Sequence, residues 1–395
     1  MVMNMNNKNW VSVWGNAVSI AEHHPEAYAK YITLRYPVYI PFAGDTLRFT
    51  FDNYCGSEAV TVTRATVSAA TSPVYEKMPL ACPCKKETIC DITFSKNESV
   101  TMEAHQTAVS DPVSFPVKKG MTLTVSLYFA DFTLMQSAVL VTGPLSKGFF
   151  SLGDQTHADA LPMDTTKTTN WFYFLSNIEL MTAEENHTVI CYGDSITAGA
   201  WPDYLTLLAR QNPDNHTAFI RRATSGSRVL RQYECITYDS YGLKGTNRFP
   251  HEIPTTGADT VIIQQGINDI IHPVGIETNP FRPMSDLPTA KEQIDGYRYY
   301  IEEAKKLHLK VYMGTLLPIF GWRTYATFRD DLRNELNAWI RSAKEIDGCI
   351  DFDLALRGSE NPSAFREGFD SGDHLHPSSK AYQAMAECAY EVLQR

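Results

Sequence analysis

The run Val189-Ile190-Cys191-Tyr192-Gly193-Asp194-Ser195-Ile196-Thr197 constrains the fold more than any other stretch of the chain. Val189 to Tyr192 reads as a buried strand. Gly193-Asp194 turns the backbone, and Trp201-Pro202-Asp203-Tyr204-Leu205 then leads into a helical pattern through Leu207-Leu208-Ala209. A buried strand that passes directly into a helix is the opening of a strand–helix–strand unit, which calls for a parallel sheet covered on both faces. In such sheets ligands bind outside the C-terminal ends of the strands, and Ser195 stands at such an end. It is thereby placed to act as a nucleophile. Asp and Ser are also favoured helix-capping residues, and this segment alone does not separate the two roles.

The pattern continues downstream. Phe219–Ala223, Thr260–Gln265, Lys310–Gly314 and Cys349–Phe352 read as further strands. Between them lie amphipathic helices. One opens on the capping box Thr289-Ala290-Lys291-Glu292 and carries Ile294, Tyr297, Ile301 and Ala304 on one face. A second carries Phe328, Leu332, Leu336, Trp339, Ile340 and Ala343. The last follows Pro377 with Ala381, Met385, Cys388 and Val392. Upstream the period changes. Arg35–Ile40, Thr46–Asp52, Ala59–Ser68, Thr122–Leu127 and Trp171–Leu175 read as short strands bounded by turn residues, with almost no helical period, and Trp171–Leu175 as the last of them. With 395 residues, more than one core usually spans, the expected division is an all-β sandwich or jelly-roll domain at 1–182 and an α/β domain at 183–395.

Composition excludes several function classes. Against 35 basic residues stand 45 acidic ones, a formal charge of −10, so no general nucleic-acid binder is expected. No run approaches a membrane span. Met1–Lys8 lacks the apolar core of a secretory leader, and a cytoplasmic location fits eight scattered cysteines best, with export as the alternative. Cys82-Pro83-Cys84 with Cys90 falls short of a closed zinc site and reads as a solvated hairpin tip.

Four loops then carry the chemistry. A serine nucleophile needs a base and a group that orients the base. His376 and Asp373, three residues apart before the last helix, offer both. An oxyanion needs preorganised donors, and the Ser195 N–H, the Gly226 N–H and the Asn268 side chain are of the right kind. They follow the first three strands. Arg228, Trp322 and Tyr325 flank these loops as candidate substrate contacts. His374 with His376 forms at most half a metal site, so no metal and no cofactor are expected.

Gly193-Asp194-Ser195, Ser225-Gly226-Ser227-Arg228, Gly266-Ile267-Asn268-Asp269 and Asp373-His374-Leu375-His376-Pro377 together resemble the four ordered blocks of the SGNH, or GDSL, hydrolases. The likeness covers about residues 185–395. A weaker one, on Asp111-Pro112-Val113 and Leu123–Tyr128, links the first half to the β-rich N-terminal region of a bacterial two-domain subgroup. The resemblance implies a flavodoxin-like three-layer catalytic domain. It makes Ser195 the nucleophile, His376 the general base and acid, Asp373 its orienting partner, and Ser195, Gly226 and Asn268 the oxyanion donors. Arg221-Arg222-Ala223-Thr224 departs from the Asn-Ala-Gly turn common before the second-block glycine. The expected activity is hydrolysis of short-chain acyl esters, foremost acetyl groups on a carbohydrate. Lysophospholipase or thioesterase activity, or glycan binding on an inert scaffold, are the alternatives. The oligomeric state is left open.

Overall fold

The computed structural model describes residues 8–21 and 28–394. The stretch Met1–Asn7, on which the reading of no secretory leader rests, lies outside the described residues. The chain divides into two compact units, Met1–Thr188 with Pro213–Ile220, and Val189–Asn212 with Arg221–Arg395.

The first unit is β-rich. Ile32–Ile40 and Met121–Phe129 pair antiparallel over their full length at the centre of a six-stranded sheet. Gly148–Leu152 and Lys167–Thr169 extend it on one side, Arg64–Ala69 and Cys90–Ile92 on the other. A second antiparallel sheet joins Lys8–Gly15, Leu175–Ala183, Gly44–Asp52, Thr107–Val109 and Val113–Val117. Within Gly44–Asp52 the alternation is literal. Leu47, Phe49 and Phe51 are fully buried while Arg48 and Thr50 between them are half-buried, as a period of two requires.

Three expectations need correction here. The single strand at Ala59–Ser68 is two, Val60–Val62 and Arg64–Ala69, which pair with different partners. Trp171–Leu175 is not the last strand: it ends at Tyr173, and Leu175–Ala183 follows. That strand hides in the sequence behind Ser176, Asn177 and Glu179, whose burial is compensated by polar partners. Asn177 donates to Ser12 Oγ at 2.9 Å, and Glu179 pairs with Arg48. Cys82 and Cys84 are buried rather than solvated. Cys82 packs with Met78, Phe149 and Leu161, and burial pushes its thiol up to about 12. All eight cysteines are free.

The α/β part of the chain is organised on five strands: β1 (His187–Gly193), β2 (Thr217–Ala223), β3 (Ala258–Gln264), β4 (Lys310–Gly314) and β5 (Gly348–Ile350). Their order is β2-β1-β3-β4-β5, and β3, β4 and β5 pair parallel. The chain therefore leaves β1 in one direction to reach β2 and in the other to reach β3. A reversal of this kind opens a crevice at the C-terminal end of the first strand. The helices are α1 (Ser195–Ala198), α2 (Trp201–Arg210), α3 (Gly245–Glu252), α4 (Ile267–Ile271), α5 (Ala290–Lys306), α6 (Thr327–Ser342), α7 (Phe352–Leu356) and α8 (Ser379–Leu393).

The capping box of α5 is formed, with Thr289 and Glu292 bonding each other's backbone. The run expected to be one strand to Phe352 stops at Ile350, because Asp351 caps α7 by accepting from Leu354 N–H at 3.1 Å. The apolar stripe expected on α6 is also revised. Phe328 is 48 % exposed and Ala343 lies past the helix end, while Arg329, Asp330, Arg333 and Asn337 share the buried face with Leu336 and Ile340. Arg333 explains the exchange: it donates to Asp330 at 2.8 Å and to Asp353 of α7 at 2.7 Å, so the polar face is satisfied internally. Among the described residues no helix is long and apolar enough to cross a membrane.

Candidate active site

The end of β1 resolves the ambiguity of Asp194-Ser195 by using both residues. Asp194 is the N-cap of α1 and accepts from Ile196 N–H at 3.0 Å. Burial pushes its carboxyl up to about 7, against the pull of that N–H. Ser195 is the first residue of the helix, so its own N–H has no intrahelical acceptor, and its Oγ is spared for another partner. That partner is His376, whose Nε2 lies 2.9 Å from Ser195 Oγ. The other ring nitrogen, Nδ1, meets Asp373 Oδ2 at 2.6 Å.

The loop that carries His376 braces itself. Asp370 and Pro377 form a β-bridge, and Ser371 N–H donates to the His376 carbonyl at 3.0 Å. The second oxygen of Asp373 accepts from the N–H groups of Leu375, at 3.0 Å, and His376, at 2.8 Å. Partial burial works against the Asp373 charge. The His376 side chain and these backbone donors outweigh it and hold the carboxyl at about 2. His374 pairs separately, its Nδ1 2.5 Å from Asp370 Oδ2. Each histidine thus has a carboxylate of its own. Among the described residues no group of three or more His, Cys, Asp or Glu is disposed to hold a metal ion.

The loop after β2 is drawn to the same edge. Thr224 N–H donates to the Gly193 carbonyl at 3.2 Å. Gly226 has φ +76°, and a Cβ there would stand 2.2 Å from the Tyr241 ring, so only glycine fits. The loop after β3 turns on Gly266, with φ +130° and the Tyr297 hydroxyl 2.1 Å from where a Cβ would be. It delivers Asn268, which donates through Nδ2 to the Ser227 carbonyl at 3.1 Å. Asp269 beside it accepts from Val229 N–H at 2.8 Å and Leu230 N–H at 3.0 Å. Burial pushes the Asp269 carboxyl up to about 6 in spite of them.

Several supporting residues carry no motif. Arg248 of α3, buried and paired with Glu252 at 2.9 Å, donates to Ser227 Oγ at 2.8 Å and reaches the Gly193 carbonyl at 3.5 Å. Gln265 donates to the same Ser227 Oγ at 2.8 Å and accepts from the Tyr300 hydroxyl at 2.7 Å. The departure at Arg221-Arg222 is structural. Arg221 pairs with Asp203 at 2.8 Å and donates to the carbonyls of Thr197 and Gly199 at 3.1 and 3.0 Å, closing the C-terminal end of α1.

Of the candidate substrate contacts, Arg228 is buried. Its guanidinium lies 4.3 Å from the Tyr233 ring centre and 3.1 Å from Asp286. Trp322 and Tyr325 are half-buried in one loop, with the Tyr325 ring edge-on to Phe320 at 5.1 Å. That loop touches two neighbours. Gly321 packs on the His374 ring, and Thr324 donates to the Ile271 carbonyl at 2.9 Å.

Residues 191–384 match the model of the GDSL-like Lipase/Acylhydrolase family. Among solved structures, the chain is similar to a GDSL-like lipase from Bacteroides thetaiotaomicron (20 % identity, 53 % of this chain and 89 % of that one, TM-score 0.39). It is likewise similar to an acetylxylan esterase from Geobacillus stearothermophilus (17 % identity, 52 % and 93 %, TM-score 0.39). No curated protein matches it by sequence.

Proposed function

Because residues 191–384 are a GDSL-like lipase/acylhydrolase domain, we propose that the protein is a serine esterase that works through an acyl-enzyme, with Ser195, His376 and Asp373 as its triad. The observation that carries this reading is the continuous hydrogen-bonded line from Asp373 through His376 to Ser195, at 2.6 and 2.9 Å.

Ser195 Oγ attacks the ester carbonyl while His376 Nε2 takes its proton. Asp373, ionised throughout, orients the ring and faces the imidazolium that forms. The carbonyl oxygen becomes an oxyanion, and the donors for it are the Ser195 N–H, the Gly226 N–H and the Asn268 amide, whose second hydrogen is not the one given to Ser227. His376 returns the proton to the departing alcohol. A water, deprotonated by His376, then attacks the acyl-enzyme and releases the acid. We read the substrate as a short acyl ester, foremost an acetylated carbohydrate. The half-buried rings of Trp322 and Tyr325, beside the His374 loop, offer faces for a sugar. The two antiparallel sheets of the first unit are read as a sandwich of the jelly-roll kind.

The test is hydrolysis of p-nitrophenyl acetate together with fluorophosphonate labelling. The wild type is expected to turn over and to label at Ser195, and Ser195→Ala to do neither. Full activity in Ser195→Ala would remove Ser195 from the mechanism. An unlabelled, inactive wild type would turn the reading toward a binding protein.

A further inference from the structure

Beside the Ser195 loops, cations outnumber the carboxylates that could balance them. Arg282 is only 8 % exposed, and its guanidinium lies 4.5 Å from the Tyr238 ring centre and 5.9 Å from that of Tyr233. Its Nε is buried without a hydrogen-bond partner. Among the described residues no carboxylate pairs with it, nor with Arg323, which is exposed and lies over the Trp322 ring at 4.6 Å. His272 is 7 % exposed, and its Nδ1 is likewise without a partner. Burial, and then the charges of Arg282, Arg228 and Arg323, hold this imidazole well below its ordinary pKa. Three guanidiniums therefore act on one neutral ring. Asp286, the carboxylate that pairs with Arg228 at 3.1 Å, is also approached by Arg231 at 3.9 Å. Arg282 is the buried one of these without a counter-charge, and such a cation is costly unless an anion completes it. In a chain of net charge −10, such a local excess of cations does not follow from composition.

The corner is continuous with the site. Tyr241 packs on Gly226 and stacks on His272 at 5.2 Å. His272 N–H donates to the Asn268 carbonyl at 3.1 Å. The loop that holds Arg323 reaches back to His374 through Gly321.

We propose that Arg282 and Arg323 form an anion subsite, which receives a carboxylate or phosphate carried by the substrate next to the ester that Ser195 cleaves. This rests on the esterase reading and narrows its substrate to acyl esters of acidic compounds. Guanidinium suits the role, since its planar fork binds carboxylate and phosphate with paired hydrogen bonds.

The experiment measures acetate release from three probes: an O-acetylated methyl galacturonoside, the matching neutral O-acetylated methyl galactoside, and O-acetyl glucose 6-phosphate. The wild type is expected to favour a charged probe over the neutral one by about tenfold or more in kcat/KM, mainly through KM, as a charge-assisted contact allows. Which charged probe is preferred assigns the anion as carboxylate or phosphate. In Arg282→Gln the charged-to-neutral ratio is expected to fall toward one, and in Arg282→Lys to keep part of its value. The ratio is taken within each protein, so any general loss of activity cancels. Equal rates on charged and neutral probes in the wild type would overturn the subsite without recourse to a variant, while leaving the esterase reading intact. No acetate from any probe, and none from p-nitrophenyl acetate, would overturn the esterase reading and the subsite with it.

Discussion

At the scale of single residues, the proposed mechanism divides the site's polar groups between holding and reacting. Asp194 holds α1 while Ser195, its neighbour, faces His376. Asn268 does both, since one amide hydrogen anchors the Ser227 carbonyl and the other is assigned to the oxyanion. Asn268→Ala is therefore expected to lower kcat on p-nitrophenyl acetate by roughly 10² to 10³, the usual cost of one oxyanion donor, with a much smaller change in KM. A wild-type kcat would reduce Asn268 to a turn residue. Two of the site carboxyls respond to pH with opposite signs. Asp373, lowered from 3.8 to about 2, contributes stability that is present above pH 4 and lost as the pH falls toward 2. Asp194, raised from 3.8 to about 7, binds its proton more tightly folded than unfolded. Its contribution is fully present below pH 4 and is lost as the pH rises through 7. Asp194→Asn keeps an acceptor for Ile196 N–H but cannot ionise. The Tm advantage of the wild type over this variant is expected to shrink between pH 4 and pH 8. A gap that widened with pH would show that the ionised carboxylate is the stabilising form.

At the scale of elements, buried ion pairs do work that apolar stripes were expected to do. On α6, Arg333 links its own helix to α7 through Asp353, both side chains being 1 % exposed. Removing one partner of such a pair strands the other charge, so Arg333→Ala should destabilise by about 3–5 kcal/mol in urea unfolding. A loss below about 1 kcal/mol would mean that Arg341 and Arg357, which also reach Asp353, carry it unaided. This is also where the sequence was hardest to read. Periodicity finds a helix face because apolar residues repeat, and it found α5 with its capping box. On α6 it set Phe328 on the buried face, because nothing local tells that Arg333 will meet Asp353. Leu175–Ala183 was overlooked for the same reason: its buried Asn177 and Glu179 find their partners on strands far away in sequence.

For the molecule as a whole, much of the candidate site was legible because it follows from topology. Once β1, β2 and β3 are recognised as strands of one parallel sheet, the residues just after them must share an edge, and the order β2-β1-β3 makes them neighbours. The Asp373–His376 pair was legible from a spacing of three. Arg248, Gln265, His272 and Arg282 were not, since their importance lies in contacts between loops and not in any local pattern. The residues proposed to carry the reaction lie in local motifs, while those that brace them, and those proposed to select the substrate, are brought together by the tertiary fold.

The self-braced loop from Asp370 to Pro377 has a mechanical consequence. The bonds that fix His376 to Asp373 lie within eight consecutive residues, so the histidine and its carboxylate are braced as one piece. The contact between His376 and Ser195, by contrast, joins residues 181 positions apart and rests on the fit of that piece against the end of β1. In the proposed proton relay, breathing of the domain would therefore fall on a single joint. The histidine would keep its orientation through such motion, and what would fluctuate is whether the serine is within its reach.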